Sequence, residues 1–244
     1  MPKQKPQKSF FIVGAQRCAT TYLYDLIGRS PSVCRLTPLH PEPKYFLQAP
    51  SNLDKISYLS KFKPLDGEFI FGEKSTTYIE SEAAALKIKE FFPDALIIIC
   101  LRDPAERALS NYFFSLQHGL ETRTLEGAFL YNAAPPSIDL SKFSTNPLAY
   151  KERGLYSHQL DYYRKIFPAD QLLITFMEHF TTSEAERLKI LDFLGAKKSP
   201  TLHQNKINSS RRQPVDPAIY SALDNYYKSD RDNLTINHKL PLPY

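Results

Sequence analysis

Three cysteines in 244 residues, Cys18, Cys34 and Cys100, are too few and too widely spaced for a disulfide framework, and no CxxC pair offers a metal site. That pattern points to a reducing compartment. Long apolar runs are missing too. Behind the polar, basic stretch of residues 1–8, the first hydrophobic run stops after four residues, short of a signal segment, and nothing approaches a membrane span. A soluble, cytoplasmic protein is the expectation. Internal repeats and coiled-coil heptads are absent, which excludes solenoids and long paired helices.

What is present is a large apolar inventory. Hydrophobic residues make up 42% and aromatics 13% of the chain, enough to bury a sizeable core and to exclude global disorder. The net charge of +5 is a mild excess that suits an anionic ligand without requiring nucleic acid. The pattern predicts a flexible tail over residues 1–8 and one domain over 9–244.

Ser9–Val13 is a short aromatic and β-branched run, read as a buried strand, and Thr20–Arg29 has helical apolar spacing. Further strands are predicted at Val33–Leu36, Phe69–Phe71, Ala95–Leu101 and Leu172–Phe176. Further helices are predicted at 53–62, 81–92, 105–116, 156–166, 183–194 and 217–227. Ala95–Leu101 does not alternate, as expected of a central parallel strand covered on both faces. Residues 132–148, rich in Pro, Ser and Asn, read as a long loop. Strands alternating with helices predict an α/β fold: a single domain with a central parallel β-sheet flanked by helices and a P-loop-like strand–loop–helix, ligands lying beyond the strand C-termini.

Gly14, Ala15, Gln16, Arg17, Cys18, Ala19, Thr20 and Thr21 fill the first strand-to-helix turn. N–H groups at a helix N-terminus attract an anion, Arg17 adds a fixed charge, and the threonines add hydroxyl donors. An ordinary capped βα turn accounts for the same residues. The Walker A pattern is not met, because Ala19 and Thr20 stand where Gly and Lys belong. Arg102, at the end of the hydrophobic strand, and Ser110, two helical turns on, can together grip a second phosphate. Arg102-Asp-Pro104 can equally be a self-paired helix cap.

Taken together, Gly14–Leu26 and Arg102-Asp-Pro104 with Ser110 resemble the two signatures by which the sulfotransferase family binds 3′-phosphoadenosine 5′-phosphosulfate (PAPS): approximately G-x-x-[KR]-x-G-T-[TS] and R-[DN]-P-x-x-R-x-x-S. Glu42-Pro-Lys-Tyr-Phe46, Gly72–Tyr78, Gly154-Leu-Tyr156 and Phe193-Leu-Gly195 follow in similar order, so the likeness spans residues 10–230. It is nearest to the heparan-sulfate-type and bacterial carbohydrate branch. The resemblance implies PAPS as donor, PAP as product and no metal. It implies that residues 14–21 hold the 5′-phosphosulfate, that Arg102 and Ser110 hold the 3′-phosphate, and that Arg211 and Arg212 belong to a late basic loop, here lacking its usual Lys-Gly pair. Glu42 is implied as the general base, with His40 two residues away as its rival, and Lys74 with Arg17 as stabilisers of charge on the sulfuryl and leaving oxygens. His40, Lys44, Tyr45, Phe46 and Tyr78, with the loop 132–153, are expected along the acceptor cleft, the acceptor being a carbohydrate or other small metabolite. A P-loop kinase, or a nucleotide- or polyanion-binding module without catalysis, are the competing readings. Arg17 and Ala19 depart from the family's usual Lys and Gly.

Overall fold

The structure, a computed structural model, describes residues 8–37, 40–131, 133–198 and 213–244. Five strands form one parallel sheet: β1 (Lys8–Gly14), β2 (Val33–Arg35), β3 (Ile70–Lys74), β4 (Leu96–Leu101) and β5 (Leu172–Phe176), in the order β2-β3-β1-β4-β5. The helices are α1 (Thr20–Ile27), α2 (Lys55–Ser60), α3 (Glu82–Phe91), α4 (Pro104–Gln117), α5 (Leu125–Phe129), α6 (Tyr156–Ile166), α7 (Met177–Thr182), α8 (Glu184–Leu194) and α9 (Pro217–Ile236). The α/β class and the parallel sheet are as the sequence predicts.

Within this fold the described residues group into two compact units. One lies within Met1–Leu101 and Tyr162–Ile207 and carries the whole sheet; the other lies within Arg102–Asp161 and Asn208–Tyr244 and is helical. In the sheet unit, β1 leads through α1 to β2 on one side, while β4 is followed in the sheet by β5 on the other. The strand order therefore reverses between β1 and β4, the switch point where open α/β sheets bind ligands at their strand C-termini. Local chemistry explains the elements. Residues 97–101 of β4 are all fully buried, so no alternation is needed. The side chains of Asp54, Ser81 and Ser183 cap α2, α3 and α8, each accepting a backbone N–H of the first turn.

An aromatic cluster anchors the segment between β2 and α2 to the sheet. Phe46 is fully buried, 5.6 Å from Phe11 and 5.3 Å from Tyr58, ring centre to ring centre, and Tyr45 lies 5.0 Å from Tyr58. In the helical unit, Tyr112, Phe113, Phe129, Tyr150, Leu223 and Tyr227 form a separate core. Arg107 is buried there, donating to Asn111 Oδ1 at 3.1 Å and to the Tyr150 carbonyl.

Four elements differ from expectation. β3 runs on through Gly72, Glu73 and Lys74, which were read as lying beyond the strand. The apparent breaker Gly72 is a close-approach position instead: a Cβ there would lie 2.0–2.3 Å from the Phe10 ring. α9 continues nine residues past Tyr227, as Asp230 and Leu234 remain buried on its inner face. α5 and α7, at five and six residues, are too short to carry a helical period. In the expected loop, the described residues from 133 on hold only the single turn Leu140–Lys142, and Pro147 O accepts from Asn111 at 3.1 Å and Ser115 at 3.2 Å.

Because the Phe10 ring is buried and cannot retreat to solvent, Gly72→Ala is expected to destabilise the protein by about 1–3 kcal/mol in denaturant unfolding.

Candidate active site

The turn after β1 is shaped by backbone that most side chains oppose. Arg17 (φ 70°) and Ala19 (φ 53°) are both left-handed. Gly14 begins the turn because a Cβ there would lie 2.4 Å from Ile79 Cγ2 and 2.9 Å from the Thr76 carbonyl. Ala15 N–H donates to Cys100 O on β4 at 2.7 Å, closing the turn over the switch point. Ala19 is the N-cap of α1 and offers no side-chain cap, so no side chain at that position competes for the first-turn N–H groups. Thr20 is buried and Thr21 half-buried at the first two helical positions. An anion cradle is the expectation for this turn, whose loop carries Arg17, Gln16 and Cys18; Cys18 is fully buried and points its Sγ at the Gln16 carbonyl, 3.7 Å away.

Glu42 meets this cradle through Thr76. Its carboxylate accepts from Lys74 Nζ, from the Thr76 N–H at 2.9 Å and from the Thr76 hydroxyl at 3.0 Å. Thr76 is also the residue whose carbonyl abuts Gly14. Lys74 is only 3% exposed, and the Glu42 side chain 13%. A buried lysine is tolerated when a carboxylate faces it, and removing either partner leaves the other charge uncompensated. The structure thus brings Glu42, Lys74 and the start of the cradle together, and adds Thr76, which sequence reading passed over. It lies inside the Gly72–Tyr78 segment, where sequence alone assigns it no role.

Glu73, on the same strand, was also passed over. It is fully buried, accepting from the Tyr58 hydroxyl at 2.8 Å and the Ser75 hydroxyl at 3.3 Å, with the Tyr78 hydroxyl also bearing on it. Burial pushes its pKa up to about 7, against the lowering effect of those hydroxyls. The tyrosines are raised as well: burial, then the Glu73 charge, holds Tyr58 and Tyr78 well above the usual phenol value.

The expected acceptor residues divide. His40 is exposed and Lys44 half-buried, the latter with left-handed backbone at φ 49°. Tyr45, Phe46 and Tyr78 are not cleft residues. Their rings are 0–4% exposed within the aromatic core, because the segment after Glu42 uses them to dock on the sheet. In the helical unit, Arg102 is buried and donates to Glu106 Oε2 at 2.9 Å, while Asp103 caps α4 by accepting the Glu106 N–H at 2.8 Å. The Arg-Asp-Pro turn is thus capped by Asp103, and Arg102 pairs with Glu106. Ser110 is buried on α4. Arg211 and Arg212 lie outside the described residues. Among the described residues, no group of three or more His, Cys, Asp or Glu could hold a metal ion, and no helix is long and apolar enough to cross a membrane.

Two outcomes follow from this geometry. A left-handed alanine costs about 1–2 kcal/mol, partly offset by the greater freedom of glycine in the unfolded chain. Ala19→Gly is therefore expected to raise Tm by about 2–4 °C in calorimetry. For Glu73, the folded pKa lies above the model-compound 4.5, so its stabilising contribution is complete below about pH 4.5 and lost as pH rises to about 7. The loss is on the order of 3 kcal/mol, and denaturation of Glu73→Gln should show a shallower decline over that window.

Comparisons with known proteins bear on the family of the chain. Residues 7–221 match the family described as the sulfotransferase domain. The chain is 27% identical over 216 residues to human heparan sulfate glucosamine 3-O-sulfotransferase 3B1, covering 87% of this chain and 52% of that protein. It is 30% identical over 196 residues to the bovine bifunctional heparan sulfate N-deacetylase/N-sulfotransferase 2, covering 76% of this chain and 22% of that protein. The chain thus spans about half of the first relative and about a fifth of the second. A crystal structure of a sulfotransferase from Alicyclobacillus acidocaldarius superposes with a TM-score of 0.78, at 22% identity over 97% of both chains, and so shares the fold. With the family matched over nearly its whole length, the chain belongs to the sulfotransferases, transferases of sulfuryl groups.

Proposed function

We propose that the chain moves a sulfuryl group from PAPS to a hydroxyl or amine of an acceptor, a carbohydrate or a small metabolite of comparable polarity. The observation that carries this reading is the Glu42 carboxylate held by Lys74 and Thr76 against the start of the anion cradle. In the proposed reaction the acceptor oxygen or nitrogen attacks sulfur and its proton passes to Glu42. The bond from sulfur to the 5′-phosphate oxygen breaks, and PAP leaves with the electron pair. Lys74 and Arg17 offset the charge that builds on the sulfuryl and leaving oxygens, and the N-terminus of α1 with Thr20 and Thr21 holds the phosphosulfate. Arg102 and Ser110 are proposed ligands of the 3′-phosphate. The carbohydrate preference draws on the relatives, whose names place them on heparan sulfate.

The donor side fits the residues present: an uncapped helix N-terminus, a fixed guanidinium and paired hydroxyls suit an anion with several oxygens. Arg17 in place of lysine keeps the charge and gives up easy proton donation.

Turnover is tested by an acceptor screen with labelled PAPS, followed by Glu42→Gln. The variant is expected to lose about 10²–10⁴ in kcat with PAP affinity nearly unchanged, and wild-type turnover would move the base to His40. Arg102→Ala is expected to weaken PAP binding about tenfold to a hundredfold, as for loss of a charged hydrogen bond, and to narrow the preference over AMP. Stabilisation by ATP with Mg²⁺ but not by PAP would favour the kinase reading instead.

A further inference from the structure

Glu73 has no part in the chemistry above, yet it is a fully buried acid on the strand that supplies Lys74. Consecutive strand residues point to opposite faces, so Lys74 and Glu73 leave β3 on opposite sides. Such a group is costly unless it is fully hydrogen-bonded. Its hydrogen bonds lead to the segment that carries Glu42. The Ser75 hydroxyl donates to Glu73 Oε1 at 3.3 Å and accepts the Lys44 N–H at 2.9 Å. The Tyr78 hydroxyl bears on Glu73 and accepts the Phe46 N–H at 3.1 Å. Two hydroxyls therefore stand between one carboxyl and the backbone two and four residues beyond Glu42. One of those two residues, Lys44, holds a left-handed conformation that an L-residue adopts only under external hold.

We propose that Glu73 is a positioning residue for the general base: through the Ser75 and Tyr78 hydroxyls it sets the backbone at Lys44 and Phe46, and with it the aim of the Glu42 carboxylate. The inference rests on the reading of Glu42 as the base. A hydroxyl has one proton and two lone pairs. When Ser75 and Tyr78 both give their protons to Glu73, their lone pairs are left facing the two amides. Tyr58 adds a third donor at 2.8 Å. Three donors on one carboxyl match the ionised, acceptor-only form. Once protonated, Glu73 becomes a donor itself, and one of the three hydroxyls must turn away. The charged or titratable groups bearing on it are Tyr58, Tyr78, Tyr24 and Lys61, and with a pKa near 7 the carboxyl changes state in the working range. The form that aligns the base is therefore the form that burial disfavours.

The test is release of PAP from PAPS, with water as the acceptor, by wild type, Glu42→Gln, Ser75→Ala, Tyr78→Phe and Glu73→Gln. Tyr78→Phe keeps its ring in the core, and Tm with PAP affinity reports folding for every variant. Ser75→Ala and Tyr78→Phe are expected to lower kcat about tenfold, with KM for PAPS and PAP affinity within about threefold of wild type. Wild-type kcat should rise through a limb near pH 7, and Glu73→Gln should lose that limb and fall about tenfold at pH 8. If Glu42→Gln is inactive while Ser75→Ala and Tyr78→Phe turn over at the wild-type rate, or Glu73→Gln keeps the limb, the positioning role is overturned. If Glu42→Gln itself remains active, the base assignment fails first.

Discussion

A carboxylate and an ammonium that are both withdrawn from water are costly unless they face each other, and Glu42 and Lys74 stand under that constraint. Lys74 cannot move off β3 without breaking the register with β1, where Ile12 is its partner. Glu42 sits between two prolines in a segment with no regular structure, so its position has to be imposed from outside. Thr76 supplies two of the donors, and its own carbonyl packs where Gly14 leaves no room for a side chain. Strand, acid and the turn after β1 are thus tied by one small set of contacts.

Apolar packing and polar bonding divide the work around this point. The rings of Tyr45, Phe46 and Tyr58 hold the Glu42 segment down on the sheet, which accounts for its place but not its angle. Angle comes from hydrogen bonds, which are directional. The helical unit solves a similar problem separately. Arg107 is buried and bonded to Asn111 and the Tyr150 carbonyl, stiffening α4 one turn from Ser110, while Arg102 is steadied by Glu106.

Much of this was legible in the residues. Periodicity placed β5 to the residue and β1, β4, α4 and α6 to within one or two, because burial on known faces leaves a pattern. The strand–turn–helix that carries residues 14–21 was legible from its hydrophobic flanks. Three things were not. Gly72 reads as a breaker unless one knows that Phe10 lies against it. Tyr45, Phe46 and Tyr78 have the composition of a binding cleft, and aromatic rings with polar tips serve cores equally well. The left-handed backbone at Ala19 does not show in the residue itself, since that conformation is unfavourable for alanine as for any residue with a Cβ.

The enclosure of Glu42 also bears on how a catalytic cycle ends. A base that has taken a proton must release it before it can act again. Lys74 already bears its full complement of protons and Thr76 covers both carboxylate oxygens, so neither side offers a relay. The modest exposed edge of Glu42 is what remains, 13% of the side chain. If Glu42 is the base, proton return to water shares the opening by which the acceptor arrives. Resetting the enzyme then waits on departure of the sulfated product, however fast the transfer itself has been.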